Sequence, residues 1–360
     1  MTDSLNKATG GLSAVWLKPE QQPEWDAFVH RHPFGLVYHL SSWKETIESA
    51  FSHIRGRFLA LRSADSGAIV AGMPVYSIRS WLLGNRICSV PFASICDPLI
   101  HDPGHAALML SEVEALMAST SSKSIEIRSL KATGLLTDGR LAPSSRFVHH
   151  YLKLDRPPEE LYAGFSRTGI RQGIARALKH CPDIRRSASP EAVAEFYSIL
   201  TANRKQLGLP PIPERFFKAM AACFPESQFT LSHVLHGGGV IAVMLTLTDG
   251  RTLHVEYTGQ TDTGNDLGAG KLLYWDAIER GWESGCSSVS FGRTDISNAG
   301  LIQFKKRWGT TEEPITVLGN RGADRSAALG RIARSANWLF RHSPPCVNNV
   351  LSAFIYRHHG

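Results

Sequence analysis

Residues 265–309 read NDLGAGKLLYWDAIERGWESGCSSVSFGRTDISNAGLIQFKKRWG. The stretch opens on a turn bearing Gly268 and Gly270. Helical spacing follows at Leu272, Leu273, Trp275, Ile278 and Trp282, then a short apolar strand over 288–291, a polar loop and the lysines Lys305 and Lys306. Two glycines at a helix start leave backbone N–H groups uncovered at the positive end of the helix dipole, which suits a phosphate or pyrophosphate. A Walker A loop is excluded, because Asn265 stands where its first glycine belongs and Leu272 where its magnesium-binding hydroxyl belongs. The dinucleotide fingerprint is excluded by Leu273 at the place of its third glycine.

What fits, with Asn265 in place of the usual Gln or Arg, resembles the Gln/Arg-x-x-Gly-x-Gly/Ala loop of GNAT acyltransferases. Plain helix-start glycines are the competing reading of this loop taken alone.

Outward from that stretch, 360 residues suggest two domains of about 150–180 residues each. No run reaches 18 apolar residues, and the start MTDSLNKATGGLS is read as a disordered lead without the pattern of a signal peptide, so a cytoplasmic protein is expected. Six cysteines without a C-x-x-C pair suggest reduced, buried thiols. Fifteen histidines form no H-E-x-x-H pattern, and no metal is expected. The net charge of +7 points to an anionic partner. The excess sits in residues 151–186, with a balance of +4, and in residues 320–360, with a balance of +5. A solvated basic face is the plainer reading of both.

In chain order the first half is expected as β-α-α-β-β-β-α-β. It has a strand over 14–17, helices over 23–31 and from a capping box at Ser42 to Phe51, and a hairpin over 58–78. A strand over 86–92, a helix over 104–119 and a strand over 124–130 complete it. The second half repeats that order. A strand over 149–154 leads to a basic helix over 158–180, a helix capped by Ser189 to about Leu207, a helix over 213–224, and a hairpin over 229–248. A strand over 252–259 then precedes the quoted stretch. GGGVIAVMLTL of the second hairpin stands where DSGAIVAGMPV stands in the first, with Gly239 172 residues after Gly67. Such a correspondence implies two copies of one α/β unit.

A doubled unit of this order resembles the Fem family, the FemAB-type aminoacyl and acyl transferases of bacterial envelope synthesis with their tandem GNAT-like architecture. The matching motifs are Phe291-Gly292-Arg293 with Asp295, and Gly300-Leu301-x-x-Phe304-Lys305-x-x-Trp308-Gly309. Arg171-x-x-Ile174-x-Arg176-Ala177, Phe196-Tyr197 with Arg204 and Gly208, and Pro91-Phe92 add to them. The ending Tyr356-Arg357-His358-His359-Gly360 is similar to that of the FemAB-like proteins accompanying exosortase and exopolysaccharide systems. Two departures are plain. No long coiled-coil arm is present, which weakens transfer RNA as donor carrier. Thr46 and Ile47 stand where Fem ligases tend to have a lysine, which weakens a peptidoglycan nucleotide as acceptor. The resemblance implies an α/β fold of two tandem GNAT-like copies, 14–148 and 149–318, plus a basic C-terminal helical arm, 319–360. It also implies transfer of an acyl or aminoacyl group, from acyl-CoA or aminoacyl-tRNA, to an amino group of an envelope or exopolysaccharide precursor, without metal. The expected place is the cytoplasm, with peripheral contact to an anionic inner membrane face as an option for the arm. A non-catalytic module that docks nucleic acid or an anionic membrane is the reading from another class.

Acyl transfer to an amine passes through a tetrahedral intermediate, so it needs a held donor, a route for the amine proton and positive charge facing the oxyanion. Lys305, matching the family's Phe-Lys motif, is the candidate for that charge. Glu256, on the strand before the glycine loop and two residues from His254, is the candidate proton acceptor. Asp295 completes the catalytic candidates. Arg293, Asn298, Arg167, Arg171 and Arg176 are the candidate substrate contacts, and Asn265, Gly268 and Gly270 are the candidate donor-phosphate loop. A surface lysine, a loop-closing salt bridge and solvated arginines are the bland alternatives.

Overall fold

The computed structural model describes residues 11–136, 139–181, 183–320, 337 and 340–358. The expected disordered start and most of the arm before residue 340 lie outside the described residues. Two compact units are present. One comprises the chain up to Ser145, the segment from Ile315 and the last residues from Arg357; the other comprises Arg146–Pro314 and the helical segment ending at Tyr356.

In the first unit, β1 (Leu12–Trp16) lies at the edge beside β2 (Ile54–Ser63), followed by β3 (Ile69–Ile78) and β4 (Arg86–Cys88), all antiparallel. β4 then runs parallel to β5 (Ser124–Ser129). The last partner comes from far along the chain: Thr316–Gly319 pairs antiparallel with β5. The helices are α1 (Gln22–Arg31), α2 (Ser41–Ala50) and α3 (Pro103–Ser119). Asp102 caps α3 by accepting from Gly104 N–H. The expected capping box at Ser42 does not form. Leu40 is the N-cap, and the carboxylate of Asp26 receives Ser41 N–H and Oγ–H instead.

The second unit repeats the pairing. After β6 (Ala142–Lys153) come α4 (Pro158–Gly164), α5 (Gln172–His180), β7 (Ile184–Arg186), α6 (Pro190–Gln206) and α7 (Glu214–Cys223). Then follow β8 (Phe229–His236), β9 (Gly239–Thr248), β10 (Thr252–Gln260), α8 (Asp262–Leu267), α9 (Ala269–Glu283), β11 (Ser288–Asp295) and α10 (Ala299–Lys306). β12 (Thr311–Gly319) and α11 (Pro345–His358) close the chain. The strand order β7-β8-β9-β10-β11-β6 is antiparallel throughout except for the parallel pair β10–β11, as in β1-β2-β3-β4-β5-β12. Both hairpins even carry their β-bulge at the same place, Leu61/Arg62 in one and Val234/Leu235 in the other. The first copy thus takes its sixth strand from the far end of the second, a feature the repeat itself does not encode.

Three expected elements differ. The basic helix over 158–180 breaks at Phe165, whose backbone is extended, and resumes as a π-helical turn at Arg167–Arg171 before α5. The strand expected over 86–92 ends at Cys88, and Phe92 has φ of 60° in the loop beyond it. The loop expected to carry Gly268 and Gly270 is instead the junction of two helices divided at Gly268, which adopts the left-handed φ of 83° that a glycine takes without strain.

Each unit has its own core. That of the second gathers Leu152, Ile174, Met244, Leu272, Ile278, Val289 and Trp308. That of the first gathers Leu59, Met73, Val113, Ile127 and Leu318. Among the described residues no helix is long and apolar enough to cross a membrane, and Cys88, Cys96, Cys181 and Cys286 are buried free thiols.

Candidate functional site

β10 and β11 touch through only three register pairs, Thr252–Ser288, Leu253–Val289 and His254–Ser290. Beyond them β10 stays with β9 as far as Gln260, while β11 stays with β6 as far as Asp295. The two parallel strands therefore part, and the open wedge begins at Val255 and Phe291. Both flanking strands are irregular there. Glu256 is the extra residue of a bulge between Val255 and Tyr257, and Gly292, with φ of 69°, lies in a bulge between Ser290 and Arg293. Bulges of this kind re-aim side chains and end pairing.

In the first unit the equivalent place is filled. β4 and β5 also pair over three residues, but the loop after β4 returns to β5, with Ser89 N–H on Glu126 O and Cys96 N–H on Arg128 O. The buried Arg128 donates to Ala93 O at 2.6 Å, and Asp97 Oδ1 accepts from Ser129, Leu130, Lys131 and Ala132.

Lys305 stands at the wedge. It is 3% exposed, and its Nζ donates to Gly292 O at 3.0 Å and Arg293 O at 3.2 Å, the carbonyls of the β11 bulge. No carboxylate pairs with it among the described residues, and burial lowers its pKa to about 7. The fully buried His150 is pushed down to about 4 by burial and by Lys305, so it is neutral. Asn298 accepts Leu301 N–H and so starts α10, the helix that delivers Lys305.

Asp295 does not meet Lys305. Its carboxylate accepts Ser297 Oγ–H at 2.7 Å and Ser297 N–H at 2.9 Å, and these bonds hold its pKa below the usual range. Arg293 is exposed, with its guanidinium 4.7 Å from the centre of the Phe147 ring. The bulge interrupts the strand alternation between His254 and Glu256. His254 is buried against Asp249 at 3.1 Å, whereas Glu256 is half-buried at the wedge. Tyr257 is turned toward Phe217, with ring centres 5.2 Å apart.

The glycine loop is assembled but internally satisfied. Gly268 N–H goes to Asn265 O at 3.2 Å, and Gly270 N–H goes to Gln260 Oε1 at 3.1 Å. A Cβ on Gly268 would lie 2.4 Å from Gly173 O, so the loop packs directly on the backbone of α5. Around this contact are basic side chains from three elements. A Cβ on Gly173 would meet Lys271 Nζ at 3.0 Å, and one on Gly169 would meet Arg307 Cδ at 2.8 Å. Lys271 has its pKa lowered by burial and then by Arg176 and Arg307, which places all three cations within mutual influence. Arg171 Nε is buried without a hydrogen-bond partner. Arg167 and Arg171 bound a π turn, where residues four apart do not stack on one face as in an α-helix.

Sequence reasoning missed Tyr274, Gln260, Lys271 and Arg307. Tyr274 bridges the wedge: its ring stacks on Phe291 of β11 at 4.9 Å, and its hydroxyl is hydrogen-bonded to Thr258 of β10. Burial raises its pKa to about 12. Its place beside the apolar positions of α9 concealed it, although a buried tyrosine hydroxyl needs a partner.

Residues 165–306 match the family model described as an acetyltransferase (GNAT) domain, a range that holds nearly every residue just placed. No curated protein matches the sequence. Among solved structures, FemX is 15% identical and superposes with a TM-score of 0.70 over 84% of this chain and 96% of that chain. L-PGS from Bacillus licheniformis is 14% identical, with a TM-score of 0.55 over 88% of this chain and 96% of that one. A tandem GNAT protein from the clavulanic acid biosynthesis pathway is 10% identical, with a TM-score of 0.52 over 87% and 99%. At these identities the likeness speaks for the fold, and the domain match speaks for the chemistry. Residues 165–306 thus carry an acetyltransferase (GNAT) domain match, and the whole chain is similar in fold to FemX and to a tandem GNAT protein.

Proposed function

We propose that the second unit transfers an acyl or aminoacyl group, from a phosphate-bearing carrier, to an amino group of a cell-envelope or exopolysaccharide precursor. The observation that carries this reading is the β10–β11 wedge with Lys305 beneath it, against the filled counterpart in the first unit. The diverging segments 255–260 and 291–295, which pair with β9 and β6 rather than with each other, suit an extended donor arm, and the aromatic wall of Tyr274, Phe291 and Phe304 suits its apolar part. Arg171, Arg176, Lys271 and Arg307 supply positive charge for the carrier's phosphates, as an acyl-CoA or an aminoacyl-tRNA requires. Because the N–H groups of Gly268 and Gly270 are already bonded, these side chains rather than the loop backbone are assigned the larger share. The FemX and L-PGS likenesses support the envelope as the source of the acceptor.

In the reaction the acceptor amine attacks the donor carbonyl. Lys305, held by two carbonyls with one ammonium proton left, faces the charge that develops on the oxyanion. Glu256 takes the amine proton, directly or through one water. Collapse then breaks the bond to the carrier, which leaves with the proton that Glu256 took from the amine. Arg293 and Asn298 border the wedge on the acceptor side.

The test starts with a thermal-shift screen of acyl-CoAs and aminoacyl-tRNA analogues, since a donor that binds the folded state raises its melting temperature. With a donor and acceptor in hand, Lys305→Ala is expected to lower turnover by roughly 10²–10³. Glu256→Gln is expected to lower it by roughly 10²–10⁴ and to flatten the acid limb of the rate profile. Equal rates in wild type and both variants contradict this assignment.

A further inference from the structure

α11 is amphipathic the wrong way round. Its residues at a four-residue spacing, Asn348, Ser352 and Tyr356, are buried, and they are polar. Asn348 Nδ2 donates to Phe340 O at 2.9 Å, Ser352 Oγ donates to Pro211 O, and Tyr356 is hydrogen-bonded to Arg204. The opposite stripe faces solvent and is apolar: Val347 is 41% exposed, Val350 71% and Phe354 46%. The loop that receives the helix adds Leu207 at 54% and Leu209 at 37%. Loop and helix form one surface, because Ser352 bonds within the loop and a Cβ on Gly208 would lie 2.8 Å from Asn337 O and 3.0 Å from Arg341 Nε. A helix that hides its polar stripe and shows its apolar one is built for a second contact.

Charge identifies the contact. Residues 201–213 and 337–358 contain no aspartate or glutamate, and they carry Arg204, Lys205, Arg341 and Arg357. An apolar stripe on two segments that carry bases and no acids matches the boundary of an anionic bilayer, where the apolar side chains enter between headgroups and the bases meet phosphates. We propose that the face made by Leu207, Leu209, Val347, Val350 and Phe354 docks peripherally on a membrane surface bearing anionic phospholipid headgroups. This holds whatever group the enzyme transfers.

The test uses the full chain in flotation with vesicles of phosphatidylcholine alone and of phosphatidylcholine mixed with phosphatidylglycerol. Wild type is expected to float with the mixed vesicles only and to be released by salt. Val350→Glu combined with Leu207→Glu is expected to reduce the bound fraction by about tenfold or more at an unchanged melting temperature, because both positions are exposed. Should the double variant melt lower, Val350→Ser alone serves as the second arm and is expected to weaken flotation in the same direction. Equal flotation with both vesicles, none with either, or variants that float like wild type overturns the proposal. So does a wild type that self-associates in light scattering through this face without floating.

Discussion

Lys305 is buried at the end of a helix and, among the described residues, no carboxylate pairs with it, so its charge is costly unless something else makes use of it. That cost gives a pH signature. Its folded pKa of about 7 lies below the ordinary 10.5, so between those values the unfolded chain binds a proton that the folded chain does not. Stability from this group therefore rises with pH from about 7 to about 10.5, and the penalty is complete below 7. Lys305→Met is expected to gain on wild type progressively as pH falls through that window, with a constant difference below it, read by urea denaturation across pH. A difference independent of pH would mean the lysine is not depressed. In catalysis the same depression predicts an alkaline limb near neutrality that Lys305→Arg moves upward, since a guanidinium stays charged.

At the level of elements, the two glycines that suggested a phosphate cradle turn out to serve close packing as well. Gly268→Ala adds a Cβ at a positive φ and against Gly173 O, and is expected to cost about 1–3 kcal/mol in chemical denaturation. A cost below a few tenths of a kcal/mol would show that α5 yields freely. Trp308, fully buried among Phe165, Tyr274, Phe291 and Phe304, is expected to cost about 3–5 kcal/mol as Trp308→Ala. The sequence carried the hairpins, the Ser189 cap and α9 because each has a local signal in alternation, capping or helical period. It could not carry the break at Phe165, the bulge at Glu256 or the bond from Gln260 to Gly270, which tertiary contacts decide. Asn265 was matched to the loop's polar position by spacing, whereas Gln260, on the strand before it, makes the bond to Gly270.

For the molecule as a whole, the repeated strand pairing was legible from two hairpins with similar sequences. The exchange that completes it, with Thr316–Gly319 returning to β5, was not, since a strand without a partner motif says nothing of where it pairs. Two copies of one sheet have diverged in use: one closes its wedge with the 89–97 loop, the other keeps its wedge open above Lys305. The account's central claim is that the donor enters the open wedge. Hydrogen–deuterium exchange of the full chain with a donor that raises its melting temperature tests this directly. Protection is expected in the peptides covering 255–260 and 291–295, with no change in 89–97. Protection confined to 89–97, or none in the two diverging strand segments at a saturating donor concentration, would contradict it.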